Sequence, residues 1–166
     1  MSDRARRLVA ACILLSLSAA VETKQPGEAA PDFSRVDVAG KAVHLGDYRG
    51  KLILLNFWAS WCGPCLAEMP RFSRWQTVYG PKGLQVIGIS MDDGSSPVMA
   101  LLKRRPVSYP IVMGDATLGE EYGGVFGLPL TYLIGANGRV LARYAGESDL
   151  AAMEAAIKRA LPRVDP

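Results

Sequence analysis

Cysteine and histidine are scarce in this chain: three cysteines and a single histidine, His44, occur in 166 residues. A small exported scaffold stapled by disulfides would use more cysteines at wider spacing. A structural metal site would need two ligands beyond one cysteine pair, and no second pair exists. No charge of one sign is in excess either. The formal net charge is +3, and Arg4, Arg6 and Arg7 crowd the first residues beside Asp3, so the remainder is close to neutral. That argues against a basic nucleic-acid surface, and Lys103-Arg104-Arg105 reads as a solvated helix end. Internal repeats are absent. The apolar fraction, 49%, is ordinary for a globular protein. The length suits one domain with a full core.

The N-terminus has the three parts of an export signal: the basic residues, an apolar stretch Leu8–Ala20, and small residues Ser18-Ala19-Ala20. The stretch is short of the roughly 20 apolar residues that span a bilayer. It fits a signal cut near Ala20–Val21 or an uncleaved anchor, and either delivers the domain outside the cytoplasm, to the periplasm or its equivalent. Val9-Ala10-Ala11-Cys12 is a weaker lipoprotein-box pattern, since most of the apolar stretch follows the cysteine. The expected organisation is therefore a signal or anchor over 1–20, a flexible Pro/Gly/Ala-rich tether over 21–31 and one domain over 32–162.

Phe33–Val38 and Ala42–Leu45 read as a hairpin about Ala39-Gly40-Lys41. Leu52–Trp58 is apolar on both faces, as in a strand covered by helices on both sides, with Asn56 its one polar residue. Leu66, Met69, Phe72 and Val78 recur at helical spacing over Leu66–Tyr79, and Pro70 lies inside. Leu84–Met91 reads as a second buried strand and Pro97–Arg104 as a helix stopped by Pro106. A short strand at Tyr109–Met113, a short helix over Thr117–Phe126, a hairpin turning at Asn137-Gly138 and a last helix, Asp149–Ala160, capped by Ser148, complete the chain. Alternation in the middle and antiparallel pairing at the end imply an α/β fold: a mixed sheet with helices on both faces and an N-terminal β-hairpin.

The chemistry centres on Trp61-Cys62-Gly63-Pro64-Cys65, placed where the buried strand ends and a helix begins. A helix start leaves N–H groups unpaired and carries partial positive charge, which stabilises a thiolate. A free thiol titrates near 8.5, and in Cys-x-x-Cys motifs the value falls to about 7. Cys62, at the helix mouth with its sulfur partly exposed, is the expected attacking cysteine, and Cys65, one turn in and more buried, the resolving one. Gly63 and Pro64 tune the ring's reduction potential, and Pro64 suits a first helical turn. A static disulfide or half a metal site is the alternative. Glu68 shares a helix face with Cys65, so it either exchanges that thiol's proton or is a solvated residue favoured by the helix start. Pro129 fits either a cis proline or an ordinary trans one before a strand. Trp61 and Trp58 fit the apolar rim around the sulfurs, Trp58 equally well the core. His44 reads as a surface residue.

Asn56-Phe57-Trp58-Ala59-Ser60-Trp61-Cys62-Gly63-Pro64-Cys65-Leu66-Ala67-Glu68-Met69-Pro70 resembles the active-site segment of the thioredoxin superfamily, and more narrowly its exported TlpA/ResA-like branch. Ala30-Pro31-Asp32-Phe33 and Gly127-Leu128-Pro129 before Thr131-Tyr132-Leu133-Ile134 are similar to that branch as well. The resemblance spans Ala30–Leu161 and implies a thioredoxin-like fold, a thiol–disulfide oxidoreductase, a glutamate near the active site, and Pro129 as a cis proline that presents the Leu128 backbone to substrate beside Cys62. Two positions depart from the pattern. Leu130 stands where a small or hydroxyl residue usually follows the cis proline, which puts substrate preference in doubt, and Asn56 replaces the buried aspartate of cytoplasmic thioredoxins.

The leading expectation is an extracytoplasmic enzyme, a monomer without cofactor or metal, that reduces protein disulfides. The resemblance implies a membrane thiol electron donor and apocytochrome c as a substrate. A disulfide oxidase or isomerase is the alternative, and a Cu(I)-holding thiol module a weaker one.

Overall fold

The structure, a computed structural model, describes residues 24–161. The signal-like segment 1–20, Cys12, the Ala20–Val21 cleavage and residues 21–23 of the tether lie outside the described residues. Leu52–Trp58 forms β3, buried at every position, and it is the centre of the molecule. Leu84–Ser90 (β4) lies parallel beside it, pairing Trp58 with Ser90, and Ile111–Met113 (β5) continues the parallel set. On the other side Leu130–Ile134 (β6) and Val140–Ala145 (β7) run antiparallel, giving the order β5-β4-β3-β6-β7. Ser34–Val36 (β1) and Ala42–His44 (β2) form the expected hairpin as a separate sheet, held to β5 by an Asp37–Val112 bridge.

Alternation along β3 divides the core. Leu52, Leu54 and Trp58 face the helices Gly63–Tyr79 (α1), Ser95–Arg104 (α2) and Leu150–Ala160 (α4), through Phe72, Trp75, Val98, Leu101, Met153 and Ile157. Ile53, Leu55 and Phe57 face the hairpin and the helix Ala116–Glu121 (α3), through Val43, Leu118 and Tyr122. The mixed sheet covered on both faces is thus present, with unequal layers.

Three local expectations are corrected. Residues 27–30, within the stretch read as a flexible tether, are docked: the Gly27 N–H donates to the Val140 carbonyl at 2.8 Å and the Val140 N–H to the Glu28 carbonyl at 2.8 Å, because the outer edge of β7 would otherwise be left unpaired. Asp149 caps α4, its Oδ1 accepting from the N–H groups of Ala151 and Ala152, while the Ser148 hydroxyl donates to the Gly146 carbonyl. A carboxylate is the stronger partner for a positive helix end. Leu130 is turned away from the surface. It is 1% exposed and packs with Phe57 and Tyr132 on the hairpin side, because β6 turns it inward. No helix among the described residues is long and apolar enough to cross a membrane.

Candidate active site

β3 runs into the cysteine pair through a tight turn. The Cys62 N–H donates to the Ala59 carbonyl at 3.1 Å, and the Met91 N–H to the Trp58 carbonyl at 2.8 Å, so the ends of β3 and β4 hold the turn. Cys62 is the N-cap of α1 and Gly63 and Pro64 open it, so the proline removes an N–H that the helix would leave unpaired. The Cys62 sulfur accepts from the Cys65 N–H at 3.3 Å. A disulfide joins Cys62 and Cys65. With the ring closed Cys62 is 5% exposed, buried rather than the partly exposed sulfur expected, against 1% for Cys65.

Glu68 lies on the buried side of α1, 4% exposed, and both carboxylate oxygens lack a hydrogen-bond partner. Burial pushes its carboxyl up to about 7; the Ser148 backbone N–H, outside hydrogen-bond geometry, holds the rise down and Glu147 adds to it. It is not the solvated residue that a helix start allows. The core on this face of the sheet contains three further unpartnered polar groups, the Tyr109 hydroxyl and the Nε1 atoms of Trp58 and Trp75. Burial, then the nearby Glu68 carboxylate, raises the Tyr109 phenol. Trp58 is therefore a core residue, not a rim one, while Trp61 is 72% exposed at the rim. Leu128–Pro129 is a cis bond. Trp61 and Leu128 line one hollow of about 470 Å³ with Met91, Val125, Phe126 and Gly127. His44 lies exposed on the hairpin, and no three His, Cys, Asp or Glu side chains converge among the described residues.

Sequence reasoning missed Asp92. It is 7% exposed and its carboxylate accepts three hydrogen bonds: from the Ser60 N–H at 2.9 Å, the Ser60 hydroxyl at 2.5 Å and the Ser90 hydroxyl at 2.7 Å. Its partners come from two strand ends that only the β3–β4 register brings together. The available signal was the polar pair Ser90 and Asp92 ending an apolar strand. Asp92 locks the turn carrying Trp61 and Cys62. Asp92→Asn keeps the shape but offers one acceptor oxygen, and hydrogen bonds to a charged group contribute about 1.5–3 kcal/mol each. The variant is expected to lose about 2 kcal/mol of stability in urea titration and to shift the Ser60 amide resonance. An unchanged midpoint and resonance would show that the carboxylate does not hold the turn.

The Asn56 Nδ2 donates to the Thr131 hydroxyl at 2.9 Å, so the residue that replaces an aspartate is a neutral tie between β3 and β6.

Comparison with known proteins agrees with this geometry. The Redoxin family profile matches residues 25–161. The chain is 31% identical to the thiol-disulfide oxidoreductase ResA of Bacillus cereus over 169 residues, 95% of this chain and 98% of that protein. It is 36% identical to ResA of Geobacillus thermodenitrificans over 114 residues, 69% of this chain and 66% of that one. The crystal structure of a thiol:disulfide interchange protein of the thioredoxin family from Chlorobium tepidum superposes with a TM-score of 0.75 at 29% identity, covering 85% of this chain and all of that one. With a closed Cys62–Cys65 pair at a helix mouth and these relatives, the chain belongs to the redoxin family, as a thiol–disulfide oxidoreductase of thioredoxin-like fold.

Proposed function

We propose that the protein reduces protein disulfides outside the cytoplasm, as a monomer, with Cys62 as the attacking thiol and Cys65 as the resolving one. In the reduced enzyme the Cys62 thiolate attacks one sulfur of a partner disulfide; the partner's S–S bond breaks, a Cys62–partner bond forms, and the other partner sulfur leaves as a thiolate. Cys65 then loses its proton and attacks Cys62. The mixed disulfide breaks, the second partner thiolate leaves and takes up a proton, and the enzyme disulfide closes. Two electrons pass from the enzyme to the partner.

The observation that carries this reading is the closed pair at the start of α1 with buried Glu68 on the same helix. A carboxyl titrating near 7 matches the proton of a thiol far better than one near 4.5 would, so Glu68 serves Cys65 as base on closing and as acid on opening. Gly63 and Pro64 set the ring's poise. The Leu128 backbone, presented by the cis bond to Pro129, offers an edge to which an extended substrate adds as a strand beside Trp61.

Residues 1–20 act as a signal or anchor, 21–31 lead out of it, and 32–162 form the working domain. An oxidising compartment leaves the pair oxidised, so a membrane thiol donor must return electrons. Apocytochrome c suits such a reductase, because its haem-attachment cysteines must be kept reduced.

The test is the reduction potential of the Cys62/Cys65 couple against glutathione, with insulin reduction by the purified protein. A potential nearer about −270 mV than about −120 mV is expected. A value at the oxidising end would replace the reductase with a disulfide oxidase.

A further inference from the structure

Two large aromatic side chains stand in solvent beside the reactive pair: Trp61, 72% exposed and bonded to Cys62, and Phe126, 80% exposed. They line the same hollow of about 470 Å³, whose other walls are Met91, Val125, Gly127 and Leu128, with no charged group among them. Phe126 is held there by its own loop. Gly124, at φ +82°, lies directly against the Phe126 ring, and a Cβ at that position would collide with it. The ring, 80% exposed, is an apolar surface left in water, which is costly, beside the place where a partner must arrive.

The reaction decides what covers this surface. A partner sulfur must reach Cys62, and residues adjacent to the attacked cysteine trail it by about 3.5 Å each along an extended chain. They lie over the rim of which Trp61 is part. We propose that Phe126 and Trp61 form an aromatic clamp that selects partner disulfides whose cysteine is flanked by a large apolar side chain, Phe126 being the specificity-determining residue. This rests on the reading that substrate docks over Trp61 and Leu128. The pocket disfavours a charged flank because its walls carry no counter-charge and only one hydrogen-bonding side chain, the Trp61 indole, for a group that would lose water.

The test uses the pre-reduced full domain in single turnover with synthetic peptides, each closed by one disulfide and differing only at the residue next to a cysteine: Trp, Leu, Ser or Asp. Second-order rate constants are expected to favour Trp and Leu over Asp by about tenfold or more. In Phe126→Ser the ratio should fall below about threefold, and in Phe126→Tyr, which keeps the ring, it should persist. Equal rates for all peptides, or a preference untouched in Phe126→Ser, would overturn the clamp while leaving the exchange chemistry standing. Failure to reduce any peptide would instead strike the docking reading beneath it. Sedimentation closes the remaining alternative: a dimer that Phe126→Ser converts to monomer would mean that a second copy covers the surface, and would overturn the proposal too.

Discussion

Cys65→Ser is expected to freeze the reaction halfway, with a partner protein covalently held on Cys62, while Cys62→Ser should lose exchange by on the order of 10³-fold or more. The asymmetry follows from position. Cys62 is the cap of α1, in the turn with exposed Trp61, whereas Cys65 is 1% exposed and packs with Trp58, Met69 and Phe72. We expect a partner disulfide to reach the first sulfur, 5% exposed in the closed ring, and the second sulfur, 1% exposed, to be reached only through the first. A serine at 65 cannot displace the partner, since an alcohol at neutral pH is almost wholly protonated and its attack on a disulfide has no thiolate character to drive it. The measurement is non-reducing electrophoresis with mass spectrometry of the trapped adduct, after mixing reduced Cys65→Ser with a protein disulfide. Adducts should form with Cys65→Ser, be released by dithiothreitol and be absent from Cys62→Ser. Adducts held equally by Cys62→Ser would reverse the assignment.

That same trap reads out the partner, and here the limits of sequence reasoning matter. The strand–helix junction was legible because β3 is apolar on both faces and stops at Cys-Gly-Pro-Cys, signals carried by adjacent residues. The late hairpin was legible through Asn137-Gly138 for the same reason. What could not be read needs residues far apart. Asp92 gains its role only when Trp58 pairs with Ser90, which brings Ser60 across from β3. Leu130 follows Pro129 directly, yet it packs in the core because the side-chain alternation of β6 begins there. Leu130 is thus buried directly after Pro129, and Phe126, three residues before that proline, is the exposed one. Glu68 showed its helix face in the sequence but not its isolation, which only the folded chain creates: Tyr109, far along the sequence, comes close enough for the Glu68 charge to raise its phenol, and neither Glu68 oxygen finds a hydrogen-bond partner.

That isolation makes Glu68→Gln the second large effect, visible as a pH dependence. The carboxyl titrates at about 7 in the folded chain against 4.5 for the ordinary group. Between those values the folded protein keeps a proton that the unfolded protein has released, so this group makes stability fall as pH rises from about 4.5 to about 7, and adds no further slope above. A shift of that size corresponds to about 3 kcal/mol as an upper bound, and relaxation of the folded chain around the buried charge reduces it to roughly 2 kcal/mol. Burial sets the sign; of the groups facing it, the Ser148 N–H favours its charge, Glu147 opposes it, and the Tyr109 hydroxyl, raised far above the ordinary phenol range by burial and by Glu68 itself, remains neutral throughout. Glutamine is neutral at every pH, so unfolding of the oxidised variant in urea should show roughly 2 kcal/mol less loss between pH 5 and pH 8 than the parent. The proton role adds a second expectation. Single-turnover closure of the Cys62–Cys65 ring should lose its pH limb near 7 and slow by about 10²-fold, the usual contribution of a positioned general base. A flattened stability curve with an unaltered closure rate would leave Glu68 a buried charge with no part in the exchange; an unaltered stability curve would mean that its carboxyl is not desolvated at all.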